Sequence, residues 1–253
     1  MKFITSTHLK QWADTKESQS LLPELIRRLI CASVKRLDRL YFPSGDAGHM
    51  PGWDGIVSCQ EQIDLVPNGV SLWECGVNKD IQTKANDDIN KRAANPLGHI
   101  KAESTFVFVT PREWARADAW VFANQTGWKK LVVYTAVELE IWIEKCPAVG
   151  MWLADKLNVL NAGGYQLPDT FWLQWASGDK FTLPYQIVTA GRDQAIDRVL
   201  KSCFKPSVLE IQALTQSEVI AFVLASIASC SDANKLWPKT IVVTDKNTLV
   251  YLF

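Results

Sequence analysis

Residues 71–110 read SLWECGVNKDIQTKANDDINKRAANPLGHIKAESTFVFVT, and this stretch decides the fold. It opens with an apolar segment, Ser71–Val77, which predicts a strand. The polar segment Asn78–Ala93 that follows is rich in helix-forming residues. The run Thr105–Thr110 is almost continuously apolar, which is typical of a strand buried on both faces. A strand, a helix and a strand in succession predict parallel neighbours in an α/β sheet.

The sequence on either side of this stretch extends the same pattern. Apolar residues at helical spacing predict an amphipathic helix before it, and further apolar runs predict strands. A proline is expected in the first turn of the helix that follows the central strand. The predicted elements are a helix at Leu21–Val34, a strand at Trp53–Cys59, a helix opened by Pro111, a strand at Leu131–Thr135, and helices at Val137–Glu144 and Val149–Asn158.

After a linker-like stretch, Asn161–Pro168, strands and helices are predicted to alternate again. The predicted elements are a strand at Tyr185–Thr189, a helix at Gln194–Ser202, a strand at Val208–Leu214, a helix at Gln216–Ala228 and a strand at Thr240–Thr244. Such alternation predicts a second, smaller α/β unit with a parallel sheet. We therefore expect two units, at residues 1–165 and 166–253. The final apolar run, Leu249–Phe253, suggests the N-terminal piece of a longer protein.

Composition excludes several classes of protein. Lys and Arg total 27, as do Asp and Glu, so the net charge is zero and a polybasic nucleic-acid coat is excluded. The sequence has no phosphate-binding P-loop and no dinucleotide-binding or serine-hydrolase glycine motif. Its six widely spaced cysteines indicate reduced thiols. With neither a signal peptide nor an apolar stretch of membrane-spanning length, we expect a cytoplasmic protein with no membrane partner.

Two carboxylates mark the candidate site. Asp54 stands in Gly52–Gly55, at the start of one predicted strand, and Glu74 stands 20 residues later in Trp73–Gly76, inside the next. Adjacent strands can bring both side chains to one end of the sheet, where they repel unless a cation lies between them. Mg²⁺ suits such a site because it prefers hard oxygen ligands and needs only one or two carboxylates. A nearby lysine could orient water or stabilise phosphate charge.

Asp54, Glu74 and Lys84 can each also be explained without a catalytic or metal-binding role. Asp54 precedes a glycine and could form a tight turn. Glu74 could face solvent, because alternate side chains of a strand point to opposite faces. Lys84 could be a solvated helix residue paired with Asp80 or Asp88 at helical spacing.

Four motifs in a fixed order carry a family resemblance. They are GWDG at Gly52–Gly55, WECG at Trp73–Gly76, KANDD at Lys84–Asp88 and TFVFVTPREW at Thr105–Trp114. Together they resemble the PD-(D/E)xK, restriction-endonuclease-like superfamily, and within it the N-terminal nuclease effector domains of bacterial antiviral STAND-type NTPases. The resemblance covers roughly residues 18 to 175. It implies an αβββαβ core with a mixed sheet flanked by helices.

The resemblance also assigns roles to residues. It implies that Asp54 and Glu74 hold Mg²⁺ or Mn²⁺. Gly76 stands where the superfamily motif has its lysine, and some members move that lysine to the following helix. Lys84 is therefore the candidate catalytic lysine, with Lys79 as the alternative.

The resemblance implies a metal-dependent endodeoxyribonuclease of low sequence specificity, acting on double-stranded DNA. Glu24, on the first long helix, could add an acidic contact at the metal. Basic residues near the site could contact DNA phosphates; they are Arg27, Arg28, Lys91, Arg92 and Arg112. Oligomerisation is expected through the longer parent protein. The alternative is a catalytically degenerate domain that binds DNA or a protein partner.

Overall fold

The computed structural model describes residues 3–34, 36–43, 52–60, 63, 65–125, 127–159, 164–178, 181–205, 207–245 and 248. Contacts between residues divide the chain into a first unit, Lys2–Val159, and a second unit, Leu160–Phe253. The sequence had placed this border after residue 165. The apolar run Leu249–Phe253 lies outside the described residues.

The first unit consists of helices packed against one sheet. In chain order it contains α1 (Ser6–Trp12), α2 (Glu17–Ser33), β1 (Leu37–Tyr41), β2 (Gly55–Cys59), β3 (Gly69–Cys75), α3 (Ile81–Ala94), β4 (Ser104–Val109), α4 (Ala117–Asn124), β5 (Lys130–Tyr134), α5 (Ala136–Lys145) and α6 (Pro147–Lys156). The strand order is β1-β2-β3-β4-β5. Strands β1 to β3 are antiparallel and β3 to β5 are parallel, so the sheet is mixed and the predicted α/β class is confirmed for this unit.

Strand β4 lies in the centre of the parallel part of the sheet. All six of its residues are buried, as the apolar run in the sequence predicted. Helix α3 covers one face of the sheet with Ile81, Ala85 and Ile89, which pack in a cluster with Leu72 of β3 and Phe106 of β4. The spacing of these α3 residues by four places them on one side of the helix. The position of α3 therefore follows from its narrow apolar stripe.

Several predicted boundaries in this unit differ from the structure, including the starts of α2, β2, α3 and α4. Strand β2 begins at Gly55 rather than at Trp53. Helix α4 begins at Ala117, so Pro111 does not open it. The reason lies in the segment between, where the carbonyl of Arg112 accepts a hydrogen bond from the backbone N–H of Ala136, 3.0 Å away. That bond ties the segment to the start of α5 rather than to a helical ladder. Strand β1 was not predicted.

The second unit is mainly helical. It contains β6 (Tyr165–Gln166), α7 (Pro168–Ala176), α8 (Tyr185–Thr189), α9 (Asp193–Cys203), α10 (Gln216–Ala228), α11 (Ala233–Leu236) and β7 (Val242–Val243). Strands β6 and β7 pair antiparallel, so the prediction of a second α/β unit with a parallel sheet is wrong. The predicted helices are confirmed as α9 and α10. In the described parts of both units, no helix is both long enough and apolar enough to cross a membrane.

Two predicted strands of the second unit are wrong for identifiable reasons. Tyr185–Thr189 is a short helix, and the Tyr185 ring packs on that of Trp172 with centroids 4.1 Å apart. Val208–Leu214 forms no strand and pairs with none in the described chain. Its first residue, Val208, is fully exposed. An apolar pattern becomes a strand only where another strand accepts its backbone hydrogen bonds.

Candidate functional site

The register of β2 and β3 brings the two predicted metal ligands together. Gly55 pairs with Trp73, so Asp54, just before β2, lies level with the end of β3 that carries Glu74. Asp54 is half-buried, and its Oδ2 accepts a hydrogen bond from the backbone N–H of Cys75 at 2.7 Å. Its other oxygen, Oδ1, makes no hydrogen bond with the described residues. Asp54 therefore ends the β2–β3 ladder with one oxygen left for another partner.

Glu74 points to the face of the sheet that α3 covers and is only 3% exposed. Arg92 of α3 donates a hydrogen bond from Nε to Glu74 Oε1. The same guanidinium bonds to the carbonyl of Gly52 and lies over the Trp53 ring, 4.7 Å from its centroid. The structure thus places Arg92 in the interior as the partner of Glu74, rather than on the surface that DNA phosphates would contact.

The surroundings of Glu74 disfavour the negatively charged form of its carboxyl group. Burial, together with the negative charge of Asp54, raises the pKa of Glu74 to about 8, against the opposing effect of Arg92. Asp88 adds to this repulsion. A carboxyl group that keeps its proton near neutral pH beside other carboxylates is a frequent feature of functional sites. The cluster has more negative groups than its buried arginine compensates.

Lys84 enters the cluster from α3, next to Gly76. A strand places alternate residues on the same face, so residue 76 shares the face of Glu74. A Cβ atom at Gly76 would lie 2.7 Å from Phe108 Cζ and 3.0 Å from Lys84 Cγ. The stem of Lys84 therefore occupies the space that a side chain at residue 76 would need.

The ammonium group of Lys84 is held by Asp88, one helical turn further on. Lys84 Nζ lies 2.7 Å from Asp88 Oδ1. Burial alone would lower the pKa of Lys84, but the hydrogen bond to Asp88 and the charges of Asp88, Glu74 and Asp54 outweigh it, so the pKa is raised. Lys84 therefore carries its positive charge beside both predicted metal ligands.

Asp88 itself was missed by the sequence reasoning as a site residue. It is 6% exposed, and its Oδ2 is buried with no hydrogen-bond partner in the described part of the chain. Burial raises its pKa, and the hydrogen bond from Lys84 offsets this only in part. The available signal was the spacing of Lys84, Asp88 and Arg92 by four, which lines up three alternating charges on one helix face.

A cleft of about 510 Å³ opens beside these groups. It is lined by Lys16, Gln19, Ser20, Leu22, Pro23, Pro43, Asp54, Cys75, Val77, Asn78 and Lys84. Glu74 does not line it. Pro23 has no N–H, so the carbonyl of Gln19 lacks its usual helical partner at the edge of this cleft. Burial raises the pKa of Cys75 well above its ordinary value, so its thiol stays protonated and is a poor nucleophile.

The structure places Glu24 and Lys79 away from this cleft. Glu24 accepts two hydrogen bonds from Arg28, at 2.9 and 2.8 Å, and lies 3.9 Å from Arg27. Arg28 in turn lies over the Trp152 ring. Gln19, one turn earlier in α2, reaches the cleft that Glu24 does not. Lys79 is exposed and does not line the cleft, and its positive charge helps to lower the pKa of Asp14.

The remaining predicted phosphate contacts differ in exposure. Arg112 donates hydrogen bonds to the carbonyls of Val77 and Ala13 and to Asp14, and its side chain is 11% exposed. It holds three chain segments together, and its bond holds the pKa of Asp14 below the usual value. Lys91 is exposed on α3. Of the five predicted contacts, Lys91 is thus the one whose amine is fully open to solvent.

Metal-binding capacity in this cluster rests on two carboxylates. Within the described ranges, no group of three or more His, Cys, Asp or Glu side chains is arranged to hold a metal ion. Asp54 and Glu74 supply hard oxygen atoms, which is the donor chemistry of Mg²⁺, an ion that completes its shell with water and phosphate. Comparison with protein-family models, curated proteins and solved structures finds no match to this chain.

Proposed function

We propose that the first unit is a metal-dependent phosphodiesterase that cuts DNA with Mg²⁺ or Mn²⁺. The observation that carries the proposal is the meeting of Asp54, Glu74 and Lys84 at one end of β3, beside an open cleft. The element order α2-β1-β2-β3-α3-β4 also agrees with the αβββαβ core that the resemblance implies. These residues come from two strands and one helix, so only the fold brings them together.

The donor set fits a hard divalent cation. Burial, together with repulsion from Asp54, raises the pKa of Glu74 to about 8, and a cation between the two carboxyl groups would relieve the repulsion. Asp54 lines the cleft, and its Oδ1 makes no hydrogen bond with the described residues. Glu74 would be the second ligand, through the oxygen that Arg92 does not engage or after release of Arg92. When bound, the metal ion would polarise the phosphate and lower the pKa of a bound water.

The chain's own residues perform the other parts of the reaction. Asp54 holds its carboxylate rigid through the bond to the Cys75 N–H, which fixes the ligand's direction. The ammonium group of Lys84 orients the attacking water and stabilises the extra negative charge of the pentavalent phosphate. Lys16 at the rim of the cleft adds a second positive charge that suits a polyanionic backbone. No step requires the reading of base edges, which is consistent with low sequence specificity.

The resemblance extends this proposal to the cellular role. The unit would serve as a cytoplasmic effector of a bacterial antiphage defence protein, acting on double-stranded DNA after oligomerisation of a longer parent. The support for this wider role is the ordered set of motifs, in which the aspartate, glutamate and lysine now have a common location.

A second candidate function rests on the buried ion pair. Arg92 already donates a hydrogen bond to Glu74, and that arrangement suits a degenerate site in a domain that binds DNA or a protein partner. In such a domain the positive charge of Arg92 would permanently take the place of a metal ion beside Glu74. The two candidates differ in whether the unit cuts DNA and whether divalent cations bind to it.

Cleavage of supercoiled plasmid in Mg²⁺ or Mn²⁺ separates the two functions. We expect cleavage by the wild type and a loss of at least about 100-fold in Asp54→Asn and Glu74→Gln, which keep the local hydrogen bonds but lose a ligand charge. Glu24→Gln is the matched control and should cut normally. Lys84→Met should lose activity and Lys79→Met should keep it. Binding of plasmid without cleavage, with no Mn²⁺ uptake, would establish the degenerate alternative.

A further inference from the structure

We infer that Asp88 is a positioning residue that aims the Lys84 ammonium group at the reaction centre; this inference rests on the proposed function. The first observation is geometric. Lys84 Nζ lies 2.7 Å from Asp88 Oδ1, and Lys84 Cγ packs so close to Gly76 that a Cβ atom there would lie 3.0 Å from it. Lysine has a flexible four-carbon stem, so contacts at the stem and at the tip remove most of its freedom. Asp88 supplies the contact at the tip.

The second observation is that Asp88 is an unfavourable residue for stability. Its Oδ2 is buried and has no hydrogen-bond partner among the described residues, and its neighbours include the like charges of Glu74 and Asp54. A buried polar atom without a partner costs free energy, because it has lost water and gained nothing. Sites that break such a rule are expected at functional positions. The cost at Asp88 is explained if its carboxylate is needed to hold Lys84.

The partners of Asp88 separate it from an ordinary surface ion pair. The Asp88 side chain is 8% exposed and that of Lys84 is 29% exposed, so the carboxylate lies beneath the amine. Asp88 pairs with Lys84 from the buried side, and Lys84 lines the cleft. Arg92, the next residue of the same helix stripe, binds Glu74 instead. Asp88 thus pairs with Lys84, which lines the cleft.

The first test compares Asp88→Asn with Asp87→Asn, the same change at the exposed neighbouring residue. In plasmid cleavage we expect Asp88→Asn to lower kcat by roughly 10- to 100-fold, as a misplaced catalytic group does, with KM for DNA unchanged. The melting temperature should stay equal or rise, because the substitution removes a buried negative charge that Asp54 and Glu74 disfavour. A purely structural role predicts the reverse, namely a lower melting temperature with kcat retained. Either that result or an unchanged kcat in Asp88→Asn would overturn the inference.

The second test does not depend on catalysis. Acetylation of Lys84 by an amine-reactive ester, followed by mass spectrometry, measures how firmly the ammonium group is held, with Lys79 as the internal reference. We expect Asp88→Asn to speed labelling of Lys84 by roughly three- to tenfold, since an amine without its carboxylate loses its proton more easily. Asp87→Asn should leave the rate unchanged. Equal rates in all three proteins would refute the positioning role. Faster labelling without any cleavage by the wild type would refute the nuclease function alone.

Discussion

Charged side chains are buried in the first unit but not in the described part of the second. The first unit buries Glu74, Asp88 and Arg92, all on β3 or α3. The buried polar residues described in the second unit carry only hydroxyl groups: Thr189, Ser226 and Thr248. Its ion pair between Lys201 and Asp197 is largely exposed. Because buried charge costs free energy unless it is paired, its concentration at the end of β3 indicates function rather than stability.

The largest expected difference between the units comes from removing an arginine. Arg92 and Arg192 each lie over an aromatic ring, Trp53 at 4.7 Å and Phe222 at 5.6 Å, but only Arg92 is buried. Arg92→Ala leaves Glu74 buried without its partner, so we expect the free energy of unfolding to fall by about 3–5 kcal/mol. Arg192→Ala should cost below about 1 kcal/mol. Urea unfolding measures both, and equal losses would remove the contrast between the units.

A methyl group added to a glycine tests the space around Lys84. In Gly76→Ala the new Cβ would meet Phe108 and Lys84, so we expect a loss of up to about 3 kcal/mol and slower plasmid cleavage. In the second unit the nearest atom to a Cβ at Gly178 is the Phe181 carbonyl oxygen, 3.7 Å away. Gly178→Ala should therefore change stability by less than about 0.5 kcal/mol. Thermal and urea unfolding report both variants, and a neutral Gly76→Ala would show that the lysine stem is not confined.

The pH dependence of stability tests the charge at Glu74. Its pKa is raised to about 8 in the folded chain, from an ordinary value of 4.5. Between these values the folded state binds the proton and the unfolded state does not, so the free energy of unfolding falls as pH rises. We expect a fall of up to about 3–4 kcal/mol from pH 5 to 8. Glu74→Gln should flatten this part of the urea-unfolding profile, whereas Glu218→Gln in the second unit should not; a profile unchanged in Glu74→Gln would contradict the assignment.

The smallest expected effect is that of removing a helix N-cap, and it should lower the free energy of unfolding equally in both units. Thr135 is the N-cap of α5 and Thr215 is the N-cap of α10, and each forms a capping box with the glutamate three residues later. Because a cap satisfies local backbone groups, Thr135→Ala and Thr215→Ala should each cost about 1 kcal/mol in urea unfolding. Losses that differ by several kcal/mol would show that the units differ in more than their buried charge.

The contrast also explains where sequence reasoning about the fold succeeded. Thr105–Thr110 became β4 because β3 and β5 pair with its two edges, and all six residues of β4 are buried. Val208–Leu214 has a similarly apolar pattern but remains without a strand partner in the described chain. Helices α9 and α10 were predicted well, since their hydrogen bonds are local. Strand β1 escaped notice because it is an edge strand with a half-exposed, irregular pattern.

For the site, sequence identified single residues better than their partners. The motifs indicated Asp54, Glu74 and Lys84, and the structure places these three together. The same reasoning placed Arg92 among surface contacts and left out Asp88. Both are polar residues in a polar helix, and nothing in that local pattern distinguishes a buried charge from a solvated one.

Sequence by itself determined the helices α2, α3, α5, α6, α9 and α10, the buried strand β4, the mixed composition that excludes a polybasic protein, and the candidate carboxylates. These follow from periodicity and side-chain chemistry, which are properties of neighbouring residues. Only the tertiary structure decided that Glu74 faces Arg92, that Asp88 lies under Lys84, and that the second unit lacks a parallel sheet in its described part. Such outcomes depend on which distant segments pack together, because strand pairing and the burial of a charge each need a partner from elsewhere in the chain.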